Sequence, residues 1–501
     1  MLLMGVDMGT SGCKAVVFDS RWNIVCEAYR EYSLHFPGDG LLEIDPELVW
    51  NNIRDAIIEA NDKSDGAVEG LAISAIGDVI IALDSEYRPI RNAIIDFDPR
   101  GTEQIQRFVE EFGVEKFFNI TGMPPLFLGS LAKILWLKEN EPENWANTKR
   151  WATFEDYIIG KLGLEPCVSH SEASRTMLFD IRKRQWAPEV MKAASIRADQ
   201  LPRAVRSGMA IGQIDGKMAV SLGFKKTVTV ASGGHDMVCA AVGAGLDERQ
   251  SDTAVDIAGT IEGIVAAMAE PNTSRVMLEN LFSCYPAYDG YVTFSVNLTA
   301  GCIVRWYRDK LVRDEYDKDV ALGRNFYQQM LDNIDIERPG PLMLLPHFSG
   351  SGNPWFNPDS KGVLYGLTLD STKKDVSKAI IEGLCYELKL HANAYEKAGI
   401  HLKTLRAVGG GARIERQLKL KANITGLNII KGTISESSAF GAAAYAGVAM
   451  GVLVHPSDAF RAVAKQERVF KPNIEATGKF DKFFARYVEL SQRINDFESG
   501  N

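Results

Sequence analysis

The feature that most constrains this 501-residue chain is a short echo at half its length. Val6-Asp7-Met8-Gly9-Thr10 returns as Val255-Asp256-Ile257-Ala258-Gly259-Thr260, with one residue inserted. Each copy is followed by a second apolar run, Ala15 to Phe18 in one case and Ile264 to Met268 in the other. An apolar run that reaches a carboxylate, turns through glycine and enters another apolar run reads as β-turn-β. Two such units half a chain apart predict two like domains. The length agrees, because 501 residues exceed what one hydrophobic core supports.

The first turn is chemically loaded. Gly9 and Gly12 let backbone N–H groups approach an anion, Thr10 and Ser11 offer hydroxyls, and Lys14 supplies charge. Asp7 can hold Mg²⁺ through water. An ordinary hairpin with glycine at positive φ fits the same residues. Two further glycine turns follow strands, Gly259-Thr260 and Gly409-Gly410-Gly411. Together the three suit a nucleotide held between domains, although neither a P-loop nor a GxGxxG after the first strand is present. The Gly409–Gly411 turn precedes a helix, which suits a diphosphate or ribose, or a plain helix entry.

Asp236 follows Gly233-Gly234-His235 at a strand-to-helix junction. A carboxylate there can take a proton from an attacking hydroxyl, or simply cap the helix. Asp78, Asp98 and Arg100 stand at strand ends, where they suit the grip of a polyhydroxylated ligand or a solvated loop.

Composition excludes other classes. Net charge is −9 with no basic block, which argues against a nucleic-acid partner. Seven scattered cysteines form no CxxC pair, as expected of reduced thiols in a cytoplasmic protein. No apolar run reaches the ~20 residues of a membrane helix. Met1 to Met4 enter the first strand without the basic region of a signal peptide. Locally, Thr372 and Asp375 predict a capping box. Residues 440–446 predict a small-residue helix suited to close packing. The stripe Phe480, Phe483, Phe484, Tyr487, Leu490 and Ile494 predicts a core-facing tail helix.

These residues resemble the FGGY family of carbohydrate kinases over nearly the full length. The opening D-x-G-T-S-x-x-K stands at Asp7 to Lys14, and a GGHD element lies within Ser232 to Asp236. The family's C-terminal signature is matched from Gly362 to Leu367 and from Asp375 to Glu382. The GGGA turn and Gly441-Ala442-Ala443 also match. The opening motif alone is shared with actin and chaperone-type ATPases; the full set is not.

The resemblance implies an α/β fold of two actin-like (ribonuclease H-like) domains with a catalytic cleft between them. Residues 1–246 would carry the sugar and the base, and residues 247–501 the nucleotide. It implies ATP and Mg²⁺ as cofactors and a ketose, sugar acid or polyol as substrate, with a homodimer as the family-level expectation. Asp236 would be the base and touch the sugar, beside Gly77, Asp78, Asp98 and Arg100. Asp7 would stand at the metal, and Thr10, Ser11, Gly12 and Lys14 at the phosphates. Gly259, Thr260, Gly301, Arg305, Gly410, Gly411, Ala412 and Glu415 would surround the nucleotide.

The chain also departs from the family. Ile76-Gly77-Asp78-Val79 stands where many xylulose kinases show Q-M-H-G, and Asp96-Phe97-Asp98-Pro99-Arg100 replaces Trp-x-Asp-x-Arg. Met237 follows the base, and Ile414, Gln417 and Asn423 are atypical after the GGGA turn. Two other readings remain: an actin-like or chaperone-type ATPase, and a catalytically impaired sugar-binding relative.

Overall fold

A computed structural model describes residues 1–38, 40–464 and 467–498. Two mixed sheets organise it. The first holds β1 (Leu2–Met8), β2 (Gly12–Phe18), β3 (Ile24–Glu31), β4 (Val68–Ala75), β5 (Ala210–Ile214) and β6 (Val228–His235). Their order is β5-β6-β4-β1-β2-β3. The second holds β7 (Thr253–Ala258), β8 (Glu262–Met268), β9 (Tyr285–Pro286), β10 (Tyr291–Asn297), β11 (Thr404–Gly409), β12 (Asn428–Lys431) and β13 (Val469–Phe470). Their order is β9-β10-β8-β7-β11-β12-β13.

The echo is therefore topological. In each sheet an antiparallel meander, β1-β2-β3 or β7-β8-β10, continues from its first strand into a parallel pair, β4 and β6 or β11 and β12. This is the actin-like order. β1 is apolar along almost its whole length because Leu3, Met4, Val6 and Met8 are all buried, as a strand covered on both faces requires. Edge strand β3 instead exposes Ile24, Val25 and Tyr29.

The first sheet is complete at His235 and the second starts at Thr253, but the packing does not divide there. Helix α1 (Asp236–Gly243) lies against helix α2 (Ser437–Ala449), and α2 packs on β1, β4 and β6 of the first sheet. The contact is backbone to backbone. A Cβ on Gly441 would stand 2.0 Å from the Cys239 carbonyl oxygen, and one on Gly243 1.9 Å from that of Ser437. This explains the small-residue composition of 440–446. The Thr372–Asp375 capping box is formed, with Asp375 N–H donating to Thr372 Oγ1 at 3.3 Å. In the tail helix Ile474–Glu498, Phe480, Phe484 and Tyr487 are buried core.

Among the described residues no helix is long and apolar enough to cross a membrane.

Candidate active site

The carboxyl ends of the parallel strands bring the expected residues together, as the crevice rule for open α/β sheets requires. Asp7 sits near the end of β1 with Oδ1 accepting from Ser74 Oγ of β4 at 2.9 Å. The following turn is pinned by Tyr32, whose hydroxyl donates to the carbonyls of Gly9 (2.6 Å) and Gly12 (3.1 Å). Neither glycine has positive φ, so the turn is not the left-handed hairpin that the residues also allowed. Ser11 is exposed and Thr10 half-buried. Lys14 pairs at 2.9 Å with Glu436, which comes from the other half of the chain immediately before α2.

Asp236 is the first residue of α1, so His235 takes the capping position. His235 Nε2 lies 3.2 Å from Asp236 Oδ1, and Nδ1 lies 3.0 Å from the Tyr285 hydroxyl of β9. Burial and the nearby Arg175 guanidinium hold the His235 pKa well below its usual range, so the imidazole is neutral. It can then donate one hydrogen bond to Asp236 and accept one from Tyr285. Burial, then the Asp7 carboxylate, push the Asp236 pKa up to about 8. Burial also raises Asp7 to about 6, while the Ser74 bond opposes the shift. Two adjacent carboxyls that resist ionisation together form a site that a hard divalent cation would relieve, and oxygen donors are the right chemistry for Mg²⁺.

The echo carries no second metal site. Asp256, the counterpart of Asp7, is fully buried and paired with Lys421, which also holds Glu262 at 2.8 Å.

Gly77 and Asp78 follow β4 beside the base; a Cβ on Gly77 would lie 2.6 Å from the His235 ring. Asp78 adopts φ +64 and is paired through Oδ2 with Arg175, whose Nε lies at 3.1 Å. The Arg175 guanidinium in turn faces the rings of Tyr285 and Phe294 at 5.4 and 5.1 Å. Sequence reading missed Arg175, Lys133 and the contribution of Asp96. Lys133 is fully buried beside the Asp96 backbone. Nothing in local pattern separates a buried arginine or lysine from a surface one. Asp96, by contrast, was visible as the residue replacing a tryptophan.

Asp98 and Arg100 require a correction. Asp98 is fully buried, and both its oxygens are taken by Arg100 and the Leu42 N–H. Arg100 also bonds Glu43 at 2.8 Å. The pair staples the loop to strand Glu43–Ile44 and has no oxygen left to grip a ligand.

In the second domain a cleft of about 460 Å³ is lined by Gly259, Gly301, Gly410 and Gly411, with Tyr327, Met330, Leu384, Ile414 and Gln417 among its walls. Gly301 must lack a side chain, since a Cβ would stand 2.5 Å from the Gly259 carbonyl oxygen. Gly409 has φ +87 and meets Ala258 as closely. The turn does not open a helix directly: a 3₁₀ turn, Gly410–Ala412, precedes the helix Glu415–Thr425. Of the other expected nucleotide residues, Thr260 accepts from Arg305 at 3.3 Å on the rim, and Ala412 is buried beneath the turn. Glu415 is paired with Arg468 at 2.5 Å and is not part of the cleft lining. Ile414 and Gln417 shape the cleft wall, whereas Asn423 is structural, bonding Ile336 and Asn473.

Two like actin-type domains, with a carboxylate site on one and a glycine-floored cleft on the other, define a phosphotransferase class. Residues 2–243 match the N-terminal domain of the FGGY family of carbohydrate kinases, and residues 257–450 match its C-terminal domain. The chain belongs to this family and is a carbohydrate kinase. It is 25% identical to a xylulose kinase of Staphylococcus epidermidis over 497 residues, covering 98% of this chain and 96% of that one. It is 28% identical to a glycerol kinase of Rhodospirillum rubrum over 518 residues, covering 98% of each. The gluconate kinase structure from Lactobacillus acidophilus shares the fold with a TM-score of 0.88 at 23% identity, over 99% of this chain and 98% of that one.

Proposed function

We propose that this chain transfers the γ-phosphoryl group of ATP to a hydroxyl of a small open-chain ketose, sugar acid or polyol. The observation that carries the reading is the His235-oriented carboxylate of Asp236, at the carboxyl ends of the first sheet's parallel strands, in a chain whose second sheet carries a glycine-floored cleft.

Asp236 accepts the proton of the attacking hydroxyl, a contribution of roughly 10²–10⁴ in rate. Its raised proton affinity brings it close to the pH at which a base works best. His235 fixes the orientation of that carboxylate, and Tyr285 fixes His235. Gly77 and Asp78 abut the base and hold the substrate's other hydroxyls. Gly259, Gly301, Gly410 and Gly411 form the nucleotide floor, while Thr10, Ser11 and Lys14 face the phosphates. Asp7 would hold Mg²⁺, which supplies charge neutralisation on the phosphates when bound. The transition state is loose, so positioning and charge stabilisation carry most of the acceleration. Lys14 reaches a phosphate by exchanging its Glu436 partner for it.

The test is ADP release with Mg-ATP and a panel of ketoses, sugar acids and polyols. Stimulation by a particular member over a low background supports the kinase reading. ADP release at one rate with every member and with none overturns it.

A further inference from the structure

We propose that the pocket beside Asp236 accepts an uncharged polyhydroxylated substrate, an open-chain polyol or ketose, and rejects the matching sugar acids, with Asp96 as a specificity-setting carboxylate. The inference rests on the kinase reading above and narrows its substrate class.

Hydrogen-bond accounting carries it. Two cations stand at this pocket, and both are committed. The three N–H groups of Lys133 meet three backbone carbonyls, those of Asp96 (3.2 Å), Phe127 and Leu128 (3.0 Å). Arg175 is 3% exposed, places Nε and Nη2 on one oxygen of Asp78, and lies between the Tyr285 and Phe294 rings. The nearby Arg100 is held by Asp98 and Glu43.

The acceptors are in the opposite state. Asp78 Oδ1 and Asp96 Oδ1 are buried without a hydrogen-bond partner. Asp236, beside Gly77 and Asp78, keeps 29% of its side chain exposed. Buried orphan acceptors are costly, and substrate hydroxyls, which donate, satisfy them. A sugar acid keeps its hydroxyls but replaces one donor with an acceptor-only carboxylate, whose negative charge would meet these acids where Lys133 and Arg175 are already engaged. Burial, then the Asp78 carboxylate, push the Asp96 pKa up to about 6, so these two acids already repel one another.

The experiment compares kcat/KM with saturating Mg-ATP for matched pairs: xylitol, ribitol, arabinitol, xylulose and ribulose against xylonate, ribonate and arabinonate. The expected result is turnover of one or more neutral compounds at a kcat/KM about 10²-fold above the matched acid, as like-charge juxtaposition predicts. An acid turned over as well as its neutral partner, or better, overturns the inference while leaving the kinase reading intact. ADP release indifferent to every compound overturns both. In Asp96→Asn, which keeps the shape and removes the charge, the neutral-to-acid ratio should narrow about tenfold with the KM for ATP unchanged. An unaltered ratio in that variant removes Asp96 from the role; the wild-type comparison stands without it.

Discussion

Replacing Asp236 with asparagine should abolish most of the activity and stabilise the protein at the same time. The ordinary aspartate value is 3.8, and in this site it is raised to about 8. Each unit corresponds to ~1.4 kcal/mol, so a fully desolvated carboxylate would destabilise the fold by roughly 6 kcal/mol above pH 8. The side chain retains 29% exposure, so hydration reduces this to about 1–3 kcal/mol. The sign follows from the direction of the shift. The neutral acid is the form the fold prefers, so wild-type stability falls as pH rises from about 4 to about 8. The asparagine variant is spared that loss. Thermal unfolding in EDTA, without nucleotide, should show a variant Tm close to wild type near pH 4.5 and higher by roughly 2–10 °C above pH 8. The kcat of the variant should fall by roughly 10²–10⁴. A Tm gain that is absent, or equal at both pH values, would refute the claim that this carboxylate is held against its ionisation.

Three further expectations separate structural from functional residues. Asp98→Ala should lower stability by about 2–4 kcal/mol, because Arg100 and the Leu42 N–H lose their partner, and leave the sugar KM within about twofold; denaturant titration and steady-state kinetics check this. Gly301→Val should raise the KM for ATP at least about tenfold, because the side chain meets the Gly259 carbonyl at the cleft floor, with the sugar KM little changed. Lys421→Met should cost about 3–5 kcal/mol by leaving Asp256 and Glu262 unpaired, without changing the Mg²⁺ requirement, whereas Asp7→Asn should raise the Mg²⁺ needed for half-maximal rate.

Much of this architecture was legible in the chain because it depends on local signals. Strands, glycine turns and the capping box are short-range events, and the echo at Asp256 marks the repeated β-turn-β. The echo does not extend to the chemistry. Asp7 and Asp256 hold equivalent places, yet Lys421 arrives from 165 residues further on to neutralise the second. That partner has no sequence signature, because a lysine on a helix face looks the same whether it meets water or a carboxylate. The same limit explains Asp98 and Arg100. Two residues apart, they read as a ligand clamp, but Glu43 and the Leu42 amide, more than fifty positions upstream, consume them. Conversely Arg175, Lys133 and Tyr285 shape the site through contacts that only the folded sheets create. Helix α2, predicted as a small-residue helix of the second half, packs on the first sheet because its glycine and alanine backbone fits where a larger helix cannot.

The most direct test follows the phosphoryl group itself. With γ-labelled ATP, Mg²⁺ and a neutral five-carbon polyol or ketose, the label should appear in a phosphomonoester of that compound, with little in inorganic phosphate. Label found only in inorganic phosphate, at a rate the compound does not change, would contradict the assignment of Asp236 as a base acting on a substrate hydroxyl.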